Sequence, residues 1–304
     1  MTFRVRLITN PVATGVSERS IADALAGLRQ RCAVELVETE RQGHAAELAA
    51  EAADDGYTAV CVLAGDGTAN EVLNGAAARI PVGALPAGGT SVLPRALGLP
   101  RDVLACAVQI GDAIAEGRVR TINLGSVNGR RFSFAGGLGV DAEAVRRVDD
   151  AGRPNGRRPG DVYFAAQIMR TLVGSRYTAP LLEATLPNGR VLSGVSVLVA
   201  NTHPWSFIGP LPMKLAPSAA FELGLDVVVP LNLKRRHLAR FGVQLLLSGG
   251  HARRDDRYLR YAHDVEWIDV RSSVPLPLHV DGDDLGDVTD ARFVIERDAA
   301  HVLV

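Results

Sequence analysis

The sequence predicts two domains: an α/β N-terminal domain built on a parallel sheet over 1–121, and a mainly antiparallel, β-sandwich-like C-terminal domain over 122–304. Three observations carry that expectation. As far as Ala115, short apolar runs alternate with helical stretches, the spacing of parallel strands joined by crossover helices and covered on both faces. Beyond Arg120 the chain turns strand-rich, with Asn128-Gly129 and Pro187-Asn188-Gly189 set between apolar runs as hairpin turns. The 304 residues are 47% hydrophobic and 22% charged, an ordinary globular balance in a chain long enough for two cores.

Residues 5–9 form the first strand, closed by Asn10-Pro11, and 17–31 are helical, with Ile21, Leu25 and Leu28 on one face. A second strand at 34–37 precedes an Ala-, Glu- and Leu-rich helix at 43–53. The apolar run 60–64 is a buried third strand that feeds Gly65-Asp66-Gly67-Thr68 and then a helix from Ala69. A fourth strand at 81–85 leads into Pro86-Ala87-Gly88-Gly89 and helices at 92–97 and 103–115. In the second domain, strands are expected at 122–127, 131–135, 181–186, 191–200, 226–230, 265–271, 276–281 and 293–296. Helices at 162–173 and 234–247 interrupt them, 149–160 reads as a mobile excursion, and the extreme C-terminus is expected to pack back on the first domain.

Formal net charge is −1, so no global field draws the chain to nucleic acid, and no basic patch is interleaved with aromatics as single-strand binding requires. Cys32, Cys61 and Cys106 stand apart in apolar surroundings without a CxxC pair, and read as buried thiols of a reducing compartment. The start, MTFRVRLITNP, has no apolar signal core, and no stretch approaches the roughly 18 apolar residues of a spanning helix. The expected location is cytoplasmic, with any membrane contact peripheral, at the inner face. Oligomeric state is open, a homodimer included.

The chemistry centres on 58–74, TAVCVLAGDGTANEVLN. A strand, a glycine turn and a helix N-terminus together make a place to hold phosphate: glycines let amides approach an anion, and the helix end supplies unsatisfied donors. Asp66, Thr68, Asn70, Glu71 and Asn74 crowd polar groups into that turn and the helix it opens. The stretch from Gly65 to Gly75, GDGTANEVLNG, resembles the nucleotide-binding motif of the diacylglycerol kinase/sphingosine kinase superfamily, especially its bacterial diacylglycerol kinase-like lipid kinases. NAD kinases and phosphofructokinases carry a shorter version, and the resemblance implies their α/β fold for the first domain. Ala64 stands where the family usually has glycine.

The resemblance implies ATP and Mg²⁺ as cofactors and a diacylglycerol-like membrane lipid as substrate. It places Asn10 and Thr14 in a turn past the first strand, and Thr39 past the second near adenosine, with phosphates near Gly65, Asp66, Gly67, Thr68, Asn70 and Glu71. Singly, each reads as turn capping. Residues 86–98, PAGGTSVLPRALG, resemble the family's second signature and bring in Gly88, Thr90 and Ser91, with Arg95 within reach of phosphate. Gly89 stands where a hydroxyl usually contacts ATP, and Ser91 where Asn is usual. Phosphoryl transfer needs charge neutralisation and an oriented acceptor. The family's Asp-Gly-Glu turn here reads Asp281-Gly282-Asp283, making Asp283 the implied base, Asp281 its neighbour, and Asp66 the third catalytic carboxylate. The family's metal segment implies Glu222, Leu225 and Val227 as ligands, with Asp226 the better-preserved carboxylate. Gly136–Ala142, GGLGVDA, also matches the family, and basic clusters at Arg146-Arg147, Arg157-Arg158, Lys234-Arg235-Arg236 and Arg253-Arg254 could meet phospholipid headgroups. The reading is an ATP-dependent lipid kinase; the rivals are a sphingoid-base or NAD kinase, and a catalytically silent nucleotide- or lipid-binding protein.

Overall fold

The computed structural model describes residues 3–150, 166, 170, 179–209, 211–232 and 258–304. The helix expected at 162–173 except residues 166 and 170, the helix expected at 234–247, most of the loop-like stretch 149–160, and the basic clusters at 157–158, 234–236 and 253–254 lie outside the described residues. The chain divides into two compact units. The first takes 1–122 with 297–304; the second takes most of 123–296.

The first unit opens with β1 (Phe3–Thr9), α1 (Glu18–Leu28), β2 (Cys32–Glu38) and α2 (His44–Asp54). It continues with β3 (Ala59–Ala64), α3 (Asp66–Ala76), β4 (Val82–Pro86), α4 (Val92–Ala96) and α5 (Val103–Glu116). The strands pair in parallel in the order β4-β3-β1-β2. β3 is buried along its whole length, as its unbroken apolar run requires, whereas β2 lies at the edge and is largely exposed. Ser17 starts α1 through a reciprocal cap: its hydroxyl accepts from Ser20 N at 3.2 Å, and its own amide donates to Ser20 Oγ at 2.8 Å. Asp102 caps α5 by accepting from Ala105 N at 2.9 Å, and Gly117 ends it in the left-handed region. Gly75, last residue of the long motif, packs against α2: a Cβ there would lie 2.0 Å from the Ala46 carbonyl oxygen. Loops after β1, β2, β3 and β4 all lie at the C-terminal ends of parallel strands, where such sheets bind ligands.

The second unit uses β5 (Val119–Val127, shared with the first), β6 (Arg130–Phe132), β7 (Ala135–Leu138), α6 (Val140–Asp150), β8 (Leu182–Thr185), β9 (Val191–Gly194) and β10 (Val197–Ala200). Then come β11 (Ser206–Ile208), β12 (Leu211–Met213), β13 (Leu225–Pro230), β14 (Leu259–Val265), β15 (Trp267–Val280) and β16 (Asp283–Leu303). Antiparallel pairing runs β14-β13-β10-β7-β15-β16, with β8 also joined to β15 and β9 to β8. The last residues of β16 belong to the first unit, where Val302 pairs in parallel with Val82 of β4. The core of the second unit includes Leu138, Val199, Val227 and Leu278, and Phe132 meets Phe293 edge-on with ring centroids 6.2 Å apart.

Several elements differ from the sequence expectation. The strand expected at 131–135 breaks into β6 and β7 at Ser133-Phe134, and that at 191–200 breaks at Val195-Ser196. Both breaks fall on residues whose polar groups bond elsewhere. The strands at 265–271 and 276–281 fuse into the bulged β15. β16 runs 21 residues where only 293–296 read as strand, because its acidic, largely solvent-facing first half hides the alternation. β14 and α6 were not expected; α6 is rich in Asp, Glu and Arg and carries a weak apolar signal.

Candidate active site

Gly65 opens α3 in an extended conformation, with no side chain capping the helix. The amides of the first turn are therefore left without an intrahelical partner, the arrangement that suits an anion. Behind them the motif side chains knit neighbouring loops together. Asn10 Nδ2 donates to Thr68 Oγ1 at 3.1 Å, while Asn10 Oδ1 accepts from Val12 N at 3.1 Å, which closes the turn after β1. Glu71 Oε1 accepts from Gly43 N at 3.0 Å at the head of α2, and buried Asn70 accepts from Asn74 Nδ2. Thr39 N donates to Thr9 O at 2.8 Å, seating the end of β2 beside β1. Thr14 lies half-buried in the loop whose Gly15 N donates to Ala87 O at 2.9 Å.

The two glycine-rich turns meet backbone to backbone. A Cβ on Gly88 would lie 2.8 Å from Gly65 Cα, so only hydrogen fits there. Asp66 Oδ1 accepts from Leu93 N at 3.2 Å, which places the motif carboxylate on the N-terminal turn of α4. That helix needs an outside cap because its own N-cap residue, Ser91, sits at φ 50° and turns its hydroxyl back to accept from Gly88 N at 3.1 Å. Asn tolerates this left-handed region far better than Ser, which gives a physical reason for the family's usual Asn. Arg95 Nη1 donates to Thr90 O at 3.3 Å. Gly89 is exposed and Gly67 and Thr68 half-buried.

In the second unit, Asp281-Gly282 forms the two-residue hairpin between β15 and β16, with φ of 47° and 83°. Asp281 is buried, and both of its oxygens are engaged. Oδ2 accepts from Ser133 N at 2.6 Å and Ser133 Oγ at 2.8 Å; Oδ1 accepts from Phe134 N at 3.0 Å and Ala135 N at 3.1 Å. Burial raises its proton affinity above the ordinary carboxylate value, and the four donated bonds offset this only in part. Asp283 is the partly exposed carboxylate of the same turn, with Arg130 Nη2 3.9 Å away. The next residue, Asp284, is clamped by Arg146 at 2.9 and 3.0 Å, and Arg147 pairs with Glu143; both arginines of that basic pair already have carboxylate partners.

Glu222 is exposed, and Leu225 and Val227 flank a register shift at the start of β13. Asp226 between them is fully buried, and takes the Tyr261 hydroxyl, His263 Nδ1 at 2.6 Å and Asp264 N at 3.2 Å. Burial first, then Asp226, pushes the Tyr261 hydroxyl well above its usual pKa. Asp226 thus anchors β14. Among the described residues no group of three or more His, Cys, Asp or Glu could hold a metal, so an ion there would rest on Glu222 and main-chain oxygens.

Sequence reasoning missed a second set of polar residues. His279 Nε2 lies 3.0 Å from Asp141 Oδ2, and Ser196 Oγ donates to Leu138 O at 2.9 Å while accepting from Val140 N at 3.2 Å. Gly137 leaves room for Asp141, whose Oδ2 would be 2.0 Å from a Cβ at that position. Asn123, Ser133 and Asn201 are buried and hydrogen-bonded around the Asp281 turn. The available signal was an Asn at the end of an apolar run, Val197–Ala200 followed by Asn201. The three cysteines are buried and free, and burial pushes the Cys106 thiol up to about 12.

Comparison with known proteins covers nearly the whole chain. Residues 4–127 match the diacylglycerol kinase catalytic domain, and residues 136–303 match the YegS C-terminal NAD kinase beta sandwich-like domain. The chain is 29% identical over 310 residues to a diacylglycerol kinase of Bacillus subtilis, covering 99% of this chain and 96% of the relative. A diacylglycerol kinase of Staphylococcus saprophyticus is 33% identical over 137 residues, 43% of this chain and 44% of the relative. The fold resembles a crystal structure of a diacylglycerol kinase from Bacillus anthracis with a TM-score of 0.72 at 19% identity, covering 99% of this chain and 96% of that one.

Proposed function

The chain belongs to the bacterial diacylglycerol kinase-like family of ATP-dependent lipid kinases, and on that premise we propose that it transfers the γ-phosphoryl group of ATP to a hydroxyl of diacylglycerol or a closely related lipid. The observation that carries this reading is the backbone contact of the Gly65 and Gly88 turns around an uncapped helix N-terminus, with Asp66 between them. The amides of the α3 N-terminus bind the phosphates. Asp66 would hold a Mg²⁺ brought with the nucleotide, which would supply charge neutralisation at the transferring group. Glu222 and the carbonyls of Leu225 and Val227 would hold a Mg²⁺ in the second unit; the register shift between Leu225 and Val227 is where a main-chain oxygen can leave the ladder.

Asp283 accepts the proton of the lipid hydroxyl as the new P–O bond forms and the bond from the γ-phosphorus to the bridging oxygen breaks, releasing ADP. Asp281, with both oxygens taken, holds the turn rather than the proton. Among the described residues no helix is long and apolar enough to cross a membrane, and the lipid is met in transient contact with the cytoplasmic face. The test is transfer of radiolabel from [γ-³²P]ATP to a panel of diacylglycerol, a sphingoid base and NAD, each presented with Mg²⁺. Label in an acidic glycerolipid product supports the proposal. Label on NAD or the sphingoid base alone replaces the acceptor, and label on none of them, with ATP still bound, favours a silent nucleotide-binding protein.

A further inference from the structure

Two segments of the second unit carry proposed site residues, the Asp281-Gly282-Asp283 turn with the base and the stretch beginning Phe221-Glu222-Leu223 with a metal ligand. They lie far apart in sequence, yet one buried amide side chain links what holds them. Asn201 Nδ2 donates to Ser133 O at 2.9 Å and to Asn123 O at 2.8 Å, and Asn201 N donates to Phe134 O at 2.9 Å. Ser133 and Phe134 are two of the three residues that donate to the Asp281 carboxylate, Ala135 being the third. Asn123, on the other side, donates from its backbone to Phe221 O at 2.8 Å and from Nδ2 to Leu223 O at 3.0 Å, bracketing Glu222.

Two features separate this amide from ordinary core packing. Asn201 is 0% exposed, and its Oδ1 has no hydrogen-bond partner among the described residues. A buried acceptor without a partner is costly, and an apolar residue of similar shape would fill the site more cheaply. What such a residue could not do is donate two hydrogen bonds at once to the carbonyls of Asn123 and Ser133. The two donated bonds also fix the amide orientation, since a flipped amide would set oxygen against two carbonyl oxygens.

We infer that Asn201 is a positioning residue for phosphoryl transfer: through Ser133 and Asn123 it holds the Asp283 turn and the Glu222 segment in one fixed relation. The inference rests on the reading of Asp283 as the base. It acts on the acceptor side alone, because every residue in the network belongs to the second unit and the nucleotide cradle belongs to the first.

The test is a double-mutant cycle on the full chain, pairing Asn201→Asp, which is isosteric but removes both donors, with Asp283→Asn. Asn201→Asp should lower kcat on the order of 10²-fold, the effect of misplacing a catalytic group by about 1 Å, with the KM for ATP unchanged. The double variant should be no slower than Asp283→Asn alone, because a misplaced base that has already been removed costs nothing more. Multiplying losses, or a wild-type kcat in Asn201→Asp, would overturn the inference while leaving the base reading intact. A wild-type kcat in Asp283→Asn would overturn the base reading and the inference with it. Should Asn201→Asp fail to fold, Ser133→Ala, which removes the 2.8 Å bond from Ser133 Oγ to Asp281 Oδ2, enters the same cycle with the same expectations.

Discussion

The contact between the two glycine turns makes an asymmetric prediction. Replacing Gly88 with Ala sets a Cβ 2.8 Å from Gly65 Cα, whereas replacing Gly65 with Ala sets one 3.8 Å from Gly88 Cα. Carbon atoms rest about 3.5–4.0 Å apart, so the first change forces the turns to part by roughly 1 Å and the second forces nothing. Overpacking of this kind costs about 1–3 kcal/mol. The same displacement stretches the 3.2 Å bond from Leu93 N to Asp66 Oδ1 beyond hydrogen-bonding range. Donors moved by that distance should lower kcat/KM for ATP on the order of 10²-fold. Denaturant unfolding and ATP titration of both variants are the assay. Gly88→Ala should lose stability and ATP affinity together. Gly65→Ala should unfold like the wild type, and any loss of ATP affinity it shows then measures how closely the nucleotide approaches that glycine. A Gly88→Ala protein as stable and as tight for ATP as the wild type would refute the argument from close approach.

Asp66→Ala should reduce phosphoryl transfer by at least ~10²-fold, as loss of a group facing transition-state charge does. Its unfolding free energy should fall by only about 1 kcal/mol, the worth of the cap on α4; wild-type turnover would make the carboxylate purely structural. Gly89→Thr with Ser91→Asn should tighten ATP binding, since it restores a hydroxyl and relieves the left-handed Ser91, and isothermal titration showing unchanged or weaker binding would mean Thr90 already compensates. Burial, with Lys214 adding to it, lowers the pKa of His203 below its ordinary 6.5. The unfolded state therefore takes up that proton first, and stability present above pH 6.5 drains away as pH falls, at no more than about 1.4 kcal/mol per pH unit. His203→Gln should flatten that slope in denaturant unfolding between pH 7 and 5, and an unchanged slope would assign it to other groups.

The sequence by itself determined the alternation of apolar runs and helices through the first unit, because a strand buried on both faces must be continuously apolar, as Ala59–Ala64 is. It also determined the turns, because Asn128-Gly129 and Asp281-Gly282 supply the positive φ that two-residue hairpins demand. The motif from Gly65 to Gly75 was legible for the same local reason: glycine and a helix start are chemical facts of adjacent residues. What adjacent residues cannot encode is which side chain faces inward and what it meets. Asp281 and Asp283 stand one residue apart with the same side chain, yet the hairpin buries the first among four donors and leaves the second partly open to solvent. Glu71 and Asp66 look alike as motif carboxylates, but one bonds the head of α2 and the other the head of α4, partners 28 and 27 residues away. Gly75 is a packing glycine only because α2 crosses it, and Asn201 is a hub only because β7, β10 and β15 bring Ser133 and Asp281 to its side. Local propensity acts over a few residues, whereas burial and hydrogen-bond partnership are set by sheet register. Tertiary structure therefore decided which of the legible polar residues hold the site together and which are left to act in it.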